Sequence, residues 1–289
     1  MSGPMTRSPV WLAVALLGIA SCAAFTSVCA PRPIRGDLPA LEVLEMDGDL
    51  LVVSKPWDVN CGSFRIKPVV EKPGGVRVDG EQVTVMQMAM NLFPDEETPN
   101  LRFCHRLDFA TSGVLCMARS KEAATAVYRI FEERTATKRY IAVCYGHILQ
   151  DHLRIETPIA DYPHGPDEIE ADFRMCLGTV DNPGRAALTE VEVVARGVYR
   201  GSNVTKVSLA PSTGRRHQLR VHLASIGHSI VGDSTYCGTA AASLTGAPRM
   251  MLHALSLALP LPDRYGGPRE WVAPDPFLDV LEPALGESG

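Results

Sequence analysis

Apolar and polar positions along the chain change period repeatedly, and those changes outline its elements. LEVLEMDGDLLVVSKP (41–56) predicts two short strands around a turn at Asp47-Gly48-Asp49. Residues 56–80, rich in Gly, Pro and Lys, read as an irregular loop. VTVMQMAMNLF (83–93) sets Val85, Met88, Ala89 and Leu92 at helical spacing, and Pro94 stops the run. SGVLCMAR (112–119) is apolar throughout and predicts a buried strand. Ser120 then caps a helix over KEAATAVYRIFEERTA, with Glu122 in its first turn and Ala124, Val127, Ile130 and Phe131 on one face. KRYIAVCYG (138–146) returns as a strand. The segment 151–196, acidic and broken by Gly and Pro, predicts surface hairpins. VTKVSLAP (204–211) alternates Lys206 and Ser208 with Val207 and Leu209, a strand with one wet face. A last apolar run, MLHALSLALPLP, follows at 251–262. Strands in runs with few helices between them predict an α+β fold with a largely antiparallel sheet.

The start of the chain has a different character. Arg7, the apolar VWLAVALLGIASCAAF and a stretch of small residues form a secretory-type signal layout, and no acid occurs before Asp37. The apolar run is shorter than the ~20 residues of a spanning helix. The hydroxylated, basic TSVCAPRPIRG that follows resembles the second part of plastid presequences. A plain secretory signal and a short membrane anchor are the alternatives. We therefore expect a presequence over 1–36 and a single domain over 37–289, in a plastid or another organelle, without stable membrane insertion after processing. Cysteine settles nothing about compartment: Cys61, Cys104, Cys116, Cys144, Cys176 and Cys237 are dispersed with no close ligand pairs, so no zinc site is expected.

Charge changes the picture locally. The chain carries a formal −5, which argues against indiscriminate polyanion binding. Within it, residues 102–139 hold eight basic and four acidic side chains, a net +4, and 200–228 hold five basic side chains and no acid, a net +5. The segment 151–196 has ten acids and four arginines, a net −6. Two basic segments folded against each other would line a cationic groove suited to a nucleic acid or phosphate, although ordinary solvated helix faces would explain the charge alone as well.

The candidate chemistry lies in those segments. FCHRLDFATSG places one carboxylate, Asp108, in an apolar context, and a buried carboxylate needs a partner. TGRRHQLRVH offers Arg215 and Arg220. On residue pattern alone, a structural ion pair is the commoner explanation and a catalytic one the rarer.

HRLDFATSG, KRYIAVCYG, LAPSTGRRHQLRVHLASIGHSIVGD and the upstream LLVVSKP occur in the order and approximate spacing of the RluA-type pseudouridine synthases. The likeness runs from about Leu41 to Pro276, and the runs RFCHRLDF and RMMLHA resemble the eukaryotic RNA pseudouridylate synthase domain-containing subgroup. The resemblance implies isomerisation of uridine to pseudouridine in RNA, whether ribosomal, transfer or messenger, without cofactor or metal. It implies Asp108 as the catalytic group, Arg220 as the guanidinium that pairs with it, and Tyr140 as a ring stacked on the target base. It implies Arg106 as the side chain that fills the space left by a flipped uridine. Lys55, Arg215, His217 and Gln218 then contact RNA phosphate or hold the loop around Asp108, and Thr111, Ser112 and Gly113 shape the turn. Attack at C1′, addition at C6 and glycal formation remain open as mechanisms. Two departures stand out: Arg216 replaces a small hydroxylated residue, and Trp57 with its long loop replaces a short glycine turn. His217 and His222, five apart, have no acidic or Cys neighbour that would complete a metal site. HRLD bears a superficial likeness to the catalytic loop of protein kinases, but the chain has no glycine-rich loop followed by a strand lysine, no Asn at the kinase spacing and no D-F-G motif. A non-catalytic RNA chaperone that keeps the fold is the alternative function, and a monomer is expected.

Overall fold

Alternation inside the apolar runs explains how the central sheet comes to be covered on both faces. In β2 (Leu50–Lys55), Leu50 and Val52 enter one core cluster, while Leu51 and Val53 enter another. In β4 (Ser112–Ala118), Val114, Cys116 and Ala118 go one way and Leu115 and Met117 the other. The first face is closed by α2 (Lys121–Glu132), through Ala123, Ala124, Val127 and Ile130. The second is closed by α1 (Val85–Met90), through Val85, Met86 and Ala89. Each fully buried Val or Leu adds about 1.5–3 kcal/mol relative to exposure, so two covered faces favour unbroken apolar runs.

This is a computed structural model; it describes residues 41–62, 84–93, 95–96, 99–163, 174–237 and 246–283. The expected presequence and most of the 56–80 loop lie outside those residues. Among the described residues no helix is long and apolar enough to cross a membrane.

The remaining strands are β1 (Glu42–Met46), β3 (Arg102–Phe103), β5 (Thr137–Tyr145), β6 (His152–Ile155), β7 (Ile159–Asp161), β8 (Met175–Leu177), β9 (Thr189–Tyr199), β10 (Ser202–Pro211), β11 (Leu252–Leu259) and β12 (Arg269–Val272). The main sheet runs β1-β2-β4-β11-β5-β10-β9-β6, with β3 paired to β4 and β12 to β11. All its pairings are antiparallel except the short contact of β4 with β11, where Ser112 meets His253 and Gly113 meets Ala254. Gly113 has φ +110°, and a Cβ there would collide with the Ala254 carbonyl. The α+β expectation therefore holds.

Local chemistry sets the boundaries. Asp47 Oδ1 accepts from the amides of Asp49 and Leu50, both at 2.7 Å, and turns β1 into β2. Thr84 and Gln87 form a capping box at α1, and Ser120 Oγ accepts from the Ala123 amide at α2.

Four expectations change. Met86, not Met88, is among the buried residues of α1, whose helix ends at Met90. Lys206 is not on a wet face: it is 6 % exposed, with Nζ 2.7 Å from Asp275 Oδ2 and donating to the Phe277 carbonyl at 2.8 Å. Within 151–196, β6 and the start of β9 belong to the main sheet, and only β7 and β8 form a separate hairpin-like sheet. Finally, Gln218–Ser225 forms a third helix, α3, in a stretch where periodicity predicted nothing, because Arg220 and His222 occupy buried positions on it.

Candidate active site

The β3–β4 loop hangs from the β2/β4 half of the sheet, while α3 follows β10 in the other half, and the two meet above β5. Asp108 sits on that loop, whose turn closes by the Thr111 amide donating to the Asp108 carbonyl at 3.1 Å. The loop is held from beneath. Lys55 is fully buried and donates Nζ to the carbonyls of Pro56 (2.9 Å), Phe109 (3.0 Å) and Thr111 (2.7 Å). An ammonium has three N–H donors, and here all three are used. Burial pulls the Lys55 pKa down to about 8. His105 Nε2 accepts from the Cys116 amide at 2.9 Å and its ring stacks on Phe131. Burial pulls that imidazole down to about 3, so it is neutral and ties the loop to β4. Ser112 bridges His253 Nδ1, at 2.8 Å, and Arg249, fixing the loop's far end.

From the other side comes Arg220 on α3. Its Nη1 lies 3.6 Å from Asp108 Oδ2, so the pair expected from sequence meets. The guanidinium's short bonds go elsewhere, however: Nε to Asp233 Oδ2 at 2.7 Å and Nη2 to Asp233 Oδ1 at 2.8 Å. Asp233 also accepts from the amides of Thr235 (2.9 Å) and Tyr236 (3.2 Å). Burial opposes its charge, while the bonds from Arg220 and these amides hold its pKa below the usual carboxylate range. The Tyr236 ring lies 4.9 Å from the Arg220 guanidinium. Asp233 and Tyr236 were missed by sequence reasoning; the signal was present in VGDSTY as a carboxylate opening a turn.

His217 precedes α3 with φ +53°, a left-handed conformation that aims its ring back at the loop. Nε2 is 3.9 Å from Asp108 Oδ2, and Nδ1 is 2.7 Å from the Tyr236 hydroxyl. Burial and the Arg220 charge push the imidazole down to about 4, so it is neutral. The Tyr236 oxygen already accepts from the Met175 amide at 2.7 Å. The arrangement that satisfies both groups sends the hydroxyl proton to Nδ1, leaving Nε2–H toward Asp108.

Tyr140 lies on β5 between Ala254 of β11 and Leu209 of β10, packed where two core clusters meet. Its hydroxyl makes no hydrogen bond among the described residues, and burial followed by the Asp108 charge pushes its pKa upward. Arg106 is exposed beside Asp108, without an ion pair among the described residues. Phe109, also beside Asp108, is 45 % exposed.

Two expected contacts are corrected. Lys55 has neither exposure nor a spare donor for RNA, which leaves its loop-holding role. Gln218 is buried: Oε1 accepts from the Thr213 hydroxyl (2.7 Å) and the Arg215 amide (3.0 Å), and Nε2 donates to the Leu188 carbonyl (2.9 Å) and Thr189 Oγ1 (3.0 Å). It shapes the loop before α3 and is closed to RNA. Arg215 is half-buried, its Nε donating to the Ala186 carbonyl at 3.0 Å. His222 is fully buried, its nitrogens 2.9 Å from Thr189 Oγ1 and the Thr157 carbonyl. No cluster of three metal-ligating side chains occurs among the described residues. Two concavities, of about 480 and 210 Å³, lie away from Asp108, one beside α2 and the other over β9.

Residues 49–225 match the family model described as RNA pseudouridylate synthase. The chain belongs to that family. It is 38 % identical over 255 residues to RNA pseudouridylate synthase domain-containing protein 1 of Mus musculus, covering 86 % of this chain and 76 % of the relative. It is 35 % identical over 240 residues to the dual-specificity RNA pseudouridine synthase RluA of Escherichia coli strain K12, covering 83 % of this chain and 95 % of the relative. The solved structure of human RNA Pseudouridylate Synthase Domain Containing 1 superposes with TM-score 0.67 at 35 % identity, over 86 % of this chain and 89 % of that one. Human RNA Pseudouridylate Synthase Domain Containing 4, at 22 % identity and TM-score 0.58, shares the fold.

Proposed function

We propose that the protein is an RNA pseudouridine synthase whose Asp108 carboxylate performs the isomerisation. The observation that carries this reading is the meeting of Asp108 with Arg220 at 3.6 Å and with His217 at 3.9 Å, from two halves of the sheet, in a chain of this family. The reaction is balanced within the nucleoside: the N1–C1′ bond breaks, a C5–C1′ bond forms, the hydrogen at C5 leaves as a proton, and N1 takes up a proton. It calls for a positioned group able to act as nucleophile or base. Asp108, 28 % exposed at its side chain, is open to a flipped base, while the buried Arg220–Asp233 pair supplies a fixed positive neighbour. Tyr140 offers a ring beside the carboxylate, and the exposed Arg106 is free to enter the vacated stack. Carbodiimide mapping of RNA treated with the protein tests the reading: new pseudouridine stops are expected, and an unaltered RNA would overturn it.

The same reading extends to location. The acid-free start of the chain supports delivery to a plastid, with a ribosomal, transfer or messenger RNA of that compartment as target. Residues 1–40 fused to a fluorescent protein are expected to direct it to the organelle, and a cytosolic fusion would contradict delivery.

A further inference from the structure

Beyond the residues around Asp108, four basic side chains from three separate stretches of the chain gather on one flank of the site. Arg134 ends α2 in a left-handed conformation, φ +59°. Lys138 lies on β5, two residues before Tyr140 and so on the same face, about 7 Å along the strand. Its Nζ donates to the Thr213 carbonyl at 3.1 Å, against the loop that leads into α3. Arg215 on that loop reaches across to the Ala186 carbonyl. Next to it, Arg185 is pinned by its backbone to Ile159 of β7, through bonds of 2.8 and 3.0 Å. None of the four has a carboxylate partner among the described residues. Instead they bear on one another: burial and the Arg134 charge pull Lys138 down to about 8, and burial with Arg185 and Arg134 lowers Arg215. Like charges held together without a counter-charge are costly, and a bound polyanion relieves that cost.

We infer that Arg134, Lys138, Arg185 and Arg215 form a phosphate-contacting track that carries the RNA backbone past Tyr140. This deepens the proposed function and rests on RNA being the substrate. It also gives a role to Arg185, which comes from the most acidic segment of the chain. Arg134 and Arg185 are exposed and make no side-chain bonds among the described residues, so replacing them spares the fold.

The test is equilibrium binding of a labelled oligouridylate by the full chain across a salt series. Each phosphate contact to a single strand adds about 0.7 to the slope of log K against log salt. Arg134→Ala/Arg185→Ala is expected to flatten the slope by roughly 1.4 and weaken binding roughly tenfold or more near 0.1 M salt. The lysine pair, Arg134→Lys/Arg185→Lys, is expected to restore most of it. Arg154→Ala is the control: its charge is already answered by Glu156 and Glu190 at the surface, so the slope should not move. An unchanged slope in the double alanine variant, or an equal loss in the control, overturns the track. Protein that binds with the full slope yet makes no pseudouridine would instead strike the enzymatic reading and leave the track standing.

Discussion

Arg220 is held by Asp233 through two buried hydrogen bonds, of 2.7 and 2.8 Å, and this bidentate grip points the rest of the guanidinium at Asp108. A guanidinium held by one carboxylate can lean on a second without moving, which is the geometry a planar fork favours. Asp233 is thus a positioning residue: it touches Arg220 and not the reacting atoms.

Asp233→Asn removes the charge while keeping the shape. Breaking a buried pair this way is expected to cost about 3 kcal/mol of stability. Misplacement of Arg220 should lower kcat roughly a hundredfold with KM for RNA little changed. Urea denaturation and steady-state kinetics check the two parts. A variant as active as wild type would show that Asp108 does not depend on this grip.

Lys55→Met tests whether that lysine holds the loop or the RNA. Three carbonyls would lose a charged donor, so destabilisation of about 2–4 kcal/mol is expected, with activity falling alongside. The salt dependence of RNA binding should not change, because no phosphate contact is lost. A flattened slope with intact stability would restore the phosphate role.

Acid should weaken the fold before its carboxylates titrate. His105 is held at about 3, and His217 and His253 at about 4, against 6.5 for an ordinary histidine, all chiefly by burial. Between pH 6.5 and 4 the unfolded chain therefore binds protons that the folded one refuses. Stability is full above the unfolded value and falls with pH through this window. Each histidine contributes at most about 1.4 kcal/mol per pH unit. The urea midpoint is expected to drop between about pH 6.5 and 4.5, and less steeply in His105→Gln, whose side-chain oxygen can still accept from Cys116. A constant midpoint would contradict neutral burial.

How much of this was readable beforehand depends on how far apart the partners lie. The β1–β2 turn and the α2 cap follow from neighbours a few residues apart, and the turn residues Asp47-Gly48-Asp49 and the capping Ser120 showed both. Asp108 and Arg220 were found because their motifs resemble a family, not because spacing could join residues 108 and 220. Lys206 looked wet because alternation cannot see Asp275, which arrives from the far end of the chain. Lys55 and Gln218 looked like RNA contacts because a polar residue in a motif does not reveal whether its donors are already spent on backbone. Arg185 was hidden because it lies in the most acidic segment of the sequence, and nothing in that segment shows that it comes close to Arg215 in space.

The isomerisation expels the hydrogen from C5 of uridine, so tritium release from RNA labelled at that position reports the chemical step directly. With Asp108→Ala, release is expected to vanish while RNA binding keeps its wild-type salt slope. Release near the wild-type rate from that variant would contradict the central role given to this carboxylate.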